Sequence, residues 1–169
     1  MKANSKGFTL IELVVVIIIL GILGAVALPR LINIQGDARA AVMRSVIGSA
    51  RAANALVYSK ASVLGRTGPT ATITAAELGI SFNVFPGSGG GPLAIAFGYP
   101  ANTTQLVRVM DINATANGDV VVAGAAINHR RAGTPASCGV SYTAPVSATT
   151  SPTYDETLVT GPAASTNCR

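Results

Sequence analysis

The sequence predicts an α+β chain in which one long N-terminal helix packs on an antiparallel β-sheet and the C-terminal region is bounded by two cysteines. Three observations predict it. Residues 8–28 are strongly apolar, and their only ionisable side chain is Glu12. Apolar residues then recur at helical spacing as far as Leu64. Beyond Gly65 the composition turns to Thr, Ala, Gly and Ser, with short strand-like runs and turn signals.

Built as a helix, residues 8–28 reach about 31 Å, close to the thickness of a bilayer's hydrocarbon core. The preceding MKANSKG carries Lys2 and Lys6 and no acid. By the positive-inside rule this places the N-terminus in the cytoplasm and sends the rest of the chain across the inner membrane in a single pass. Two simpler readings compete. Ala25-Val26-Ala27 has the form of a secretory cleavage site, but signal-peptide apolar regions run to only about 7–15 residues. A plain membrane anchor fits the length. Neither reading gives a reason for Glu12, an acid that hinders insertion by about 3 kcal/mol and is by default functional.

After Pro29, the residues Val42, Val46, Ala50, Ala53, Val57, Ala61 and Leu64 recur at spacings of four and three, on one helical face. Arg44 and Arg51 fall on the opposite side. Two glycines and a proline between residues 65 and 69 predict the stop. Residues 8–64 would form a stem of about 85 Å. Residues 8–28 are its membrane or filament-core half and residues 29–64 its amphipathic half, with residues 65–169 as a globular β head.

In the head, Thr74-Ala75-Ala76-Glu77 fits a capping box opening a short helix. Residues 105–112 and 119–127 read as strands, with Asn117-Gly118 as a tight turn between them, and residues 93–97 as a third strand. No internal repeat or inner domain boundary is visible. Cys138 and Cys168 are the only cysteines. In an exported domain such a pair is more often a disulfide than a metal site or a nucleophile. Closing this Ser/Thr/Pro-rich tail would contribute roughly 3–4 kcal/mol, and its apolar content is too low to order it otherwise.

Other motifs have ordinary explanations. The Gly-rich stretch of residues 87–92 lacks the Gly-Lys-Ser/Thr of a phosphate cradle and reads as a loop. His129 is the single histidine, which excludes His-based triads and multi-histidine metal sites. Asn102-Thr103-Thr104 and Asn113-Ala114-Thr115 match the glycosylation sequon but read as turns. Asp155-Glu156 is a weak cation signal beside the reading of a solvated loop. His129-Arg130-Arg131 is the one basic cluster, read as a solvated face. The chain carries a formal charge of +5, with four Tyr and no Trp. No aromatic platform for bases is evident, so nucleic-acid binding is at most weak.

Gly7-Phe8-Thr9-Leu10-Ile11-Glu12, after a basic leader and before a long apolar helix, resembles the class III signal of type IV pilins and pseudopilins. The resemblance implies the type IV pilin fold, no catalytic residues and no cofactor or metal. It implies removal of a leader of residues 1–7 by a prepilin peptidase that cuts after Gly7 and methylates Phe8. It assigns assembly to Glu12 and Thr9, with Glu12 of one subunit pairing with the Phe8 amine of the next. It also suggests that the helix-weakening Gly21, Gly24 and Pro29 let that stretch melt during assembly. The implied partners are identical subunits in a helical filament, minor pilins, the assembly platform and the inner membrane before assembly. The end point is an extracellular pilus for attachment. The disulfide-bounded C-terminal region also matches this family.

Residues 29–39, 55–61 and 97–100 are further similar to the mannose-sensitive haemagglutinin (MSHA) major pilins. This likeness is good over about the first 65 residues and scattered beyond. A type II secretion pseudopilin shares the N-terminal motif and is the alternative. Its major form resembles a shorter chain with a calcium loop in place of the disulfide, and no Asp-rich loop is present here. An enzyme on a membrane anchor is the third reading, and it lacks any catalytic constellation.

Overall fold

The computed structural model describes residues 7–169, with the backbone alone at positions 29–33. The leader with Lys2 and Lys6 lies outside the described residues. Helix α1 runs unbroken from Leu10 to Val63, about 80 Å at the helical rise. Thr9 caps its start. At its end Gly65 adopts φ 66°, and the amides of Gly65 and Arg66 bond back to the carbonyls of Ser62 and Ala61. This is a Schellman stop, at the cluster of breakers that predicts it.

The second half of α1 supplies the spine of the core. Ala40, Met43, Val46, Ile47, Ala50, Ala53, Val57 and Ala61 are all buried. The expected face is therefore present but rotated slightly: Val42 is 42% exposed, while Met43 and Ile47 take the central positions. Arg44 and Arg51 are exposed on the opposite side, as expected, but they are not left unpartnered. Residues 153–169 fold back beside the helix and meet both, a contact that no local periodicity encodes.

Two antiparallel sheets stand where one was expected. The first comprises β1 (Ala71–Ile73), β2 (Leu93–Ala96) and β3 (Tyr99–Pro100) in that order. Between β1 and β2 lies α2 (Ala75–Leu78), opened by the predicted capping box of Thr74 and Glu77. The β2 strand matches the expected run of residues 93–97, and β3 returns through a Phe97-Gly98 turn with φ of 51° and 86°.

The predicted strand over residues 105–112 is instead helix α3 (Thr103–Val109). The Asn102 side chain accepts from the Gln105 amide at 2.9 Å, a cap that starts a helix rather than a strand. Leu106, Val107 and Met110 bury themselves at helical spacing. The predicted strand over residues 119–127 is divided in two. Gly124, at φ 60°, reverses the chain between β4 (Val120–Ala123) and β5 (Ala126–His129). Asn117-Gly118 remains a turn, but it leads from the segment after α3 into β4. Any Cβ at Gly118 would meet the Asn113 carbonyl. The sheet continues with β6 (Gly139–Thr143) and β7 (Thr153–Asp155) in the order β4-β5-β6-β7. Helix α4 (Ala164–Asn167) closes the chain against α1.

Candidate functional site

The N-terminal segment is the most distinctive surface of the molecule. Leu10–Leu28 is long and apolar enough to cross a membrane, and none of the described residues covers it. Gly7, Phe8 and Thr9 precede the first helical turn, and Phe8 is 93% exposed. Gly7 and Phe8, on either side of the expected cleavage point, are thus both exposed. Thr9 has extended backbone, and its hydroxyl oxygen accepts from the Glu12 amide at 3.3 Å. In return Glu12 Oε2 accepts from the Thr9 amide and the Thr9 hydroxyl, both at 2.8 Å.

The two predicted assembly residues thus form a reciprocal capping box, placing a carboxylate in the first turn, where the helix dipole favours it. The sequence rule that found the box at Thr74 and Glu77 fits these residues equally, and it explains how a lone chain tolerates Glu12. Phe8, Ile11, Val15 and Val16 line a shallow apolar cleft of about 410 Å³ with Glu12 at its edge. Gly21 and Gly24 lie within regular helix, with nothing within 4 Å of a Cβ placed on either. Pro29 also lies inside α1, so in the single chain the expected melting stretch is helical.

The second notable region is the C-terminal lobe. Cys138 and Cys168 form the expected disulfide, buried at both ends. The stem reaches this lobe with three arginines. Arg39 donates to the Cys168 carbonyl and Arg44 to the Val159 carbonyl, both at 3.1 Å, and Arg51 pairs with Glu156 at 3.4 Å. Gly36 lets the backbone of α4 approach the stem directly. Tyr154 receives a hydrogen bond from the Asn54 amide and stacks under Arg51 at 5.5 Å. The oxygen of that buried amide, Asn54 Oδ1, has no hydrogen-bond partner among the described residues.

The minor motifs are absorbed by the fold. Asp155 accepts from the Thr157 amide and hydroxyl, and Glu156 from Arg51, so each acid of that pair has its own partner. The Gly-rich loop is held by Arg108, which donates to the carbonyls of Gly91 and Pro92. Of the basic cluster, His129 is buried, Arg130 donates to the carbonyls of Thr115, Gly118 and Val120, and Arg131 pairs with Asp119. Two of its three residues are therefore structural rather than a solvated face. Asn102 is a helix cap and Asn113 holds a turn through Thr115.

Residues 2–28 match the family described as the prokaryotic N-terminal methylation motif. The chain is 42% identical over 58 residues to the type IV narrow pilus major component PilA5 of Thermus thermophilus, covering 34% of this chain and 50% of that protein. It is 33% identical over 81 residues to the type IV major fimbrial protein FimA of Dichelobacter nodosus, covering 40% of this chain and 51% of that protein. The chain is homologous to type IV major pilins. It spans about half the length of the curated relatives it matches. No solved structure matches it. The α+β architecture, with its long helix and C-terminal disulfide, is consistent with the type IV pilin fold.

Proposed function

We propose that this protein is the major structural subunit of a type IV pilus, of the MSHA-like kind, and not an enzyme. The single observation that carries the reading is an uncovered apolar helix headed by a capped carboxylate, beside an exposed Gly7-Phe8 bond. Such a helix is stable in lipid or against other helices and nowhere else.

On this reading the precursor sits in the inner membrane with its N-terminus cytoplasmic. A prepilin peptidase cuts after Gly7 and methylates Phe8, and assembly moves the helix from lipid into a filament of identical subunits for surface attachment. The new Phe8 amine of one subunit pairs with Glu12 of its neighbour, because two charges carried together into a low-dielectric core must be paired. Thr9 presents the carboxylate. Pro29 lacks the amide that would bond the Ala25 carbonyl, and Gly21 and Gly24 each weaken the helix by about 1 kcal/mol. Neighbouring stems shield the freed groups, and the stretch unwinds on assembly.

Intact-mass measurement of subunits from sheared surface filaments tests the reading. The expected chain begins at methylated Phe8 and retains the Cys138–Cys168 disulfide. A mature N-terminus at Leu28, or no filament lost on deletion of the gene, overturns it.

A further inference from the structure

His129 is the only histidine and there is no free thiol. It lies 5% exposed at the end of β5, where three elements meet. Its amide donates to the Cys138 carbonyl at 2.7 Å, and its Nδ1 accepts from the Arg131 amide at 3.2 Å. The loop of residues 130–138 is therefore tied to His129 at both ends, by the imidazole at its start and by the His129 backbone at its end. The chain terminus rests on the same loop, through the Gly133 amide donating to the Arg169 carbonyl. From the stem, Arg39 donates to the Cys168 carbonyl, and its charge acts on the imidazole. The charged groups around His129 are Arg39 of α1, Arg131 of its own loop and Asp119 at the start of β4.

We propose that His129 makes the docking of the C-terminal residues onto the stem pH-sensitive, holding it at neutral pH and loosening it on acidification. A proton on Nδ1 removes the acceptor that the Arg131 amide uses, and it sets a new cation beside two guanidiniums with one carboxylate to offset them. The disulfide still tethers the chain, so the response is local: residues 130–138 and the last few residues open while the sheets stay folded.

Burial first, and then Arg39, hold the imidazole below its ordinary value; Asp119 opposes this and Arg131 adds to it. The neutral form is thus the one the fold favours. Its contribution is complete above the unfolded value of about 6.5 and is lost as pH falls from there through the folded value. The carboxylates with lowered values titrate in a separate range. Glu77, bonded first by Arg66 and then by Thr74, is lowered to about 2, and Asp155 is lowered chiefly by the Thr157 amide. Histidine is the side-chain type whose ordinary value lies between roughly pH 5 and 7, and His129 is the only one in the sequence.

The experiment is hydrogen exchange on the full chain in detergent micelles at about pH 7.5 and about pH 5, corrected for the intrinsic exchange rate. A several-fold loss of protection is expected in residues 130–138 and at the C-terminus, with little change in β2 or α3. His129→Gln, whose amide oxygen can still accept and does not titrate, should abolish the difference. Unchanged protection across that range in the wild type overturns the proposal, as does the same loss in His129→Gln. If that variant does not fold, the single imidazole resonance of the wild type gives the answer by NMR. Titration at the unperturbed value or above it overturns the proposal.

Discussion

Gly36 and Gly48 both lie inside α1, and the same substitution at each should change stability in opposite directions. A Cβ built at Gly36 would lie 2.0 Å from the Ser165 carbonyl oxygen and 2.9 Å from its carbon. Both are backbone atoms of α4, so no side-chain rotation relieves the contact. Helix α4 would have to retreat by more than about 1 Å. It is poorly placed to do so, because Cys168 is joined to Cys138 and its carbonyl is held by Arg39. Forcing a methyl into such a contact costs about 1–3 kcal/mol, against about 1 kcal/mol gained from the better helix propensity of alanine. Gly36→Ala should therefore destabilise the fold by up to about 2 kcal/mol. At Gly48 nothing lies within 4 Å and the position is exposed, so Gly48→Ala keeps the whole helix gain of about 1 kcal/mol. Denaturant unfolding of the full chain in micelles, followed by tyrosine fluorescence, measures both. Equal stabilisation by the two substitutions would refute the close docking of α4 on the stem.

Three further outcomes are expected. Glu12→Ala removes the capping carboxylate and, on the proposed assembly route, the partner of the Phe8 amine; subunits should accumulate in the membrane without surface filaments by electron microscopy, and normal piliation in a strain lacking the wild-type gene counts against that route. Cys138→Ser opens a loop with a sequence separation of 30 and should cost the C-terminal lobe about 4 kcal/mol on the chain-entropy estimate; limited proteolysis should then cut within residues 139–167, and resistance equal to wild type contradicts it. Asn54→Leu replaces a buried amide with one unpartnered oxygen by an apolar group of similar size and should raise stability by about 1 kcal/mol; a loss larger than that would show that the Asn54–Tyr154 bond outweighs the orphaned oxygen.

The parts of this fold legible in the sequence are those set by local rules. The start and stop of the stem, the box at Thr74 and Glu77, the strand β2 and the cysteine pair all follow from residues a few positions apart or from simple redox logic. The stretch after Asn102 carries two conflicting signals. Its Val-Arg-Val alternation suggests a strand, while Asn102 and the spacing of Leu106, Val107 and Met110 suggest a helix. The cap decides the outcome, and reading Asn102 as a plain turn residue misses the helix that it opens. The C-terminal lobe was illegible for a different reason. Its order depends on Arg39, Arg44, Arg51 and Gly36, more than a hundred residues earlier in the chain, so no window of sequence contains both halves of any of these contacts.

The geometry at Thr9 changes the energetic argument for Glu12. Read from sequence alone, Glu12 is an unpaired acid in an apolar helix, and pairing with a neighbour's amine relieves a large penalty. In the single chain its Oε2 already accepts two hydrogen bonds from Thr9. The neighbour's amine therefore competes with, or adds to, a carboxylate that is locally satisfied, and the net gain on pairing is smaller than the desolvation of a bare acid suggests. A carboxylate has room for about four hydrogen bonds, so an incoming amine can bind the free Oε1 while Thr9 keeps Oε2. On this account Thr9 holds Glu12 in one rotamer through assembly, and the amine meets a fixed target. Thr9→Ser, which keeps the hydroxyl, should then assemble like the wild type, while Thr9→Val, which keeps the shape alone, should assemble more slowly even though Glu12 is intact. Equal assembly rates for the two variants would mean that the carboxylate needs no such support.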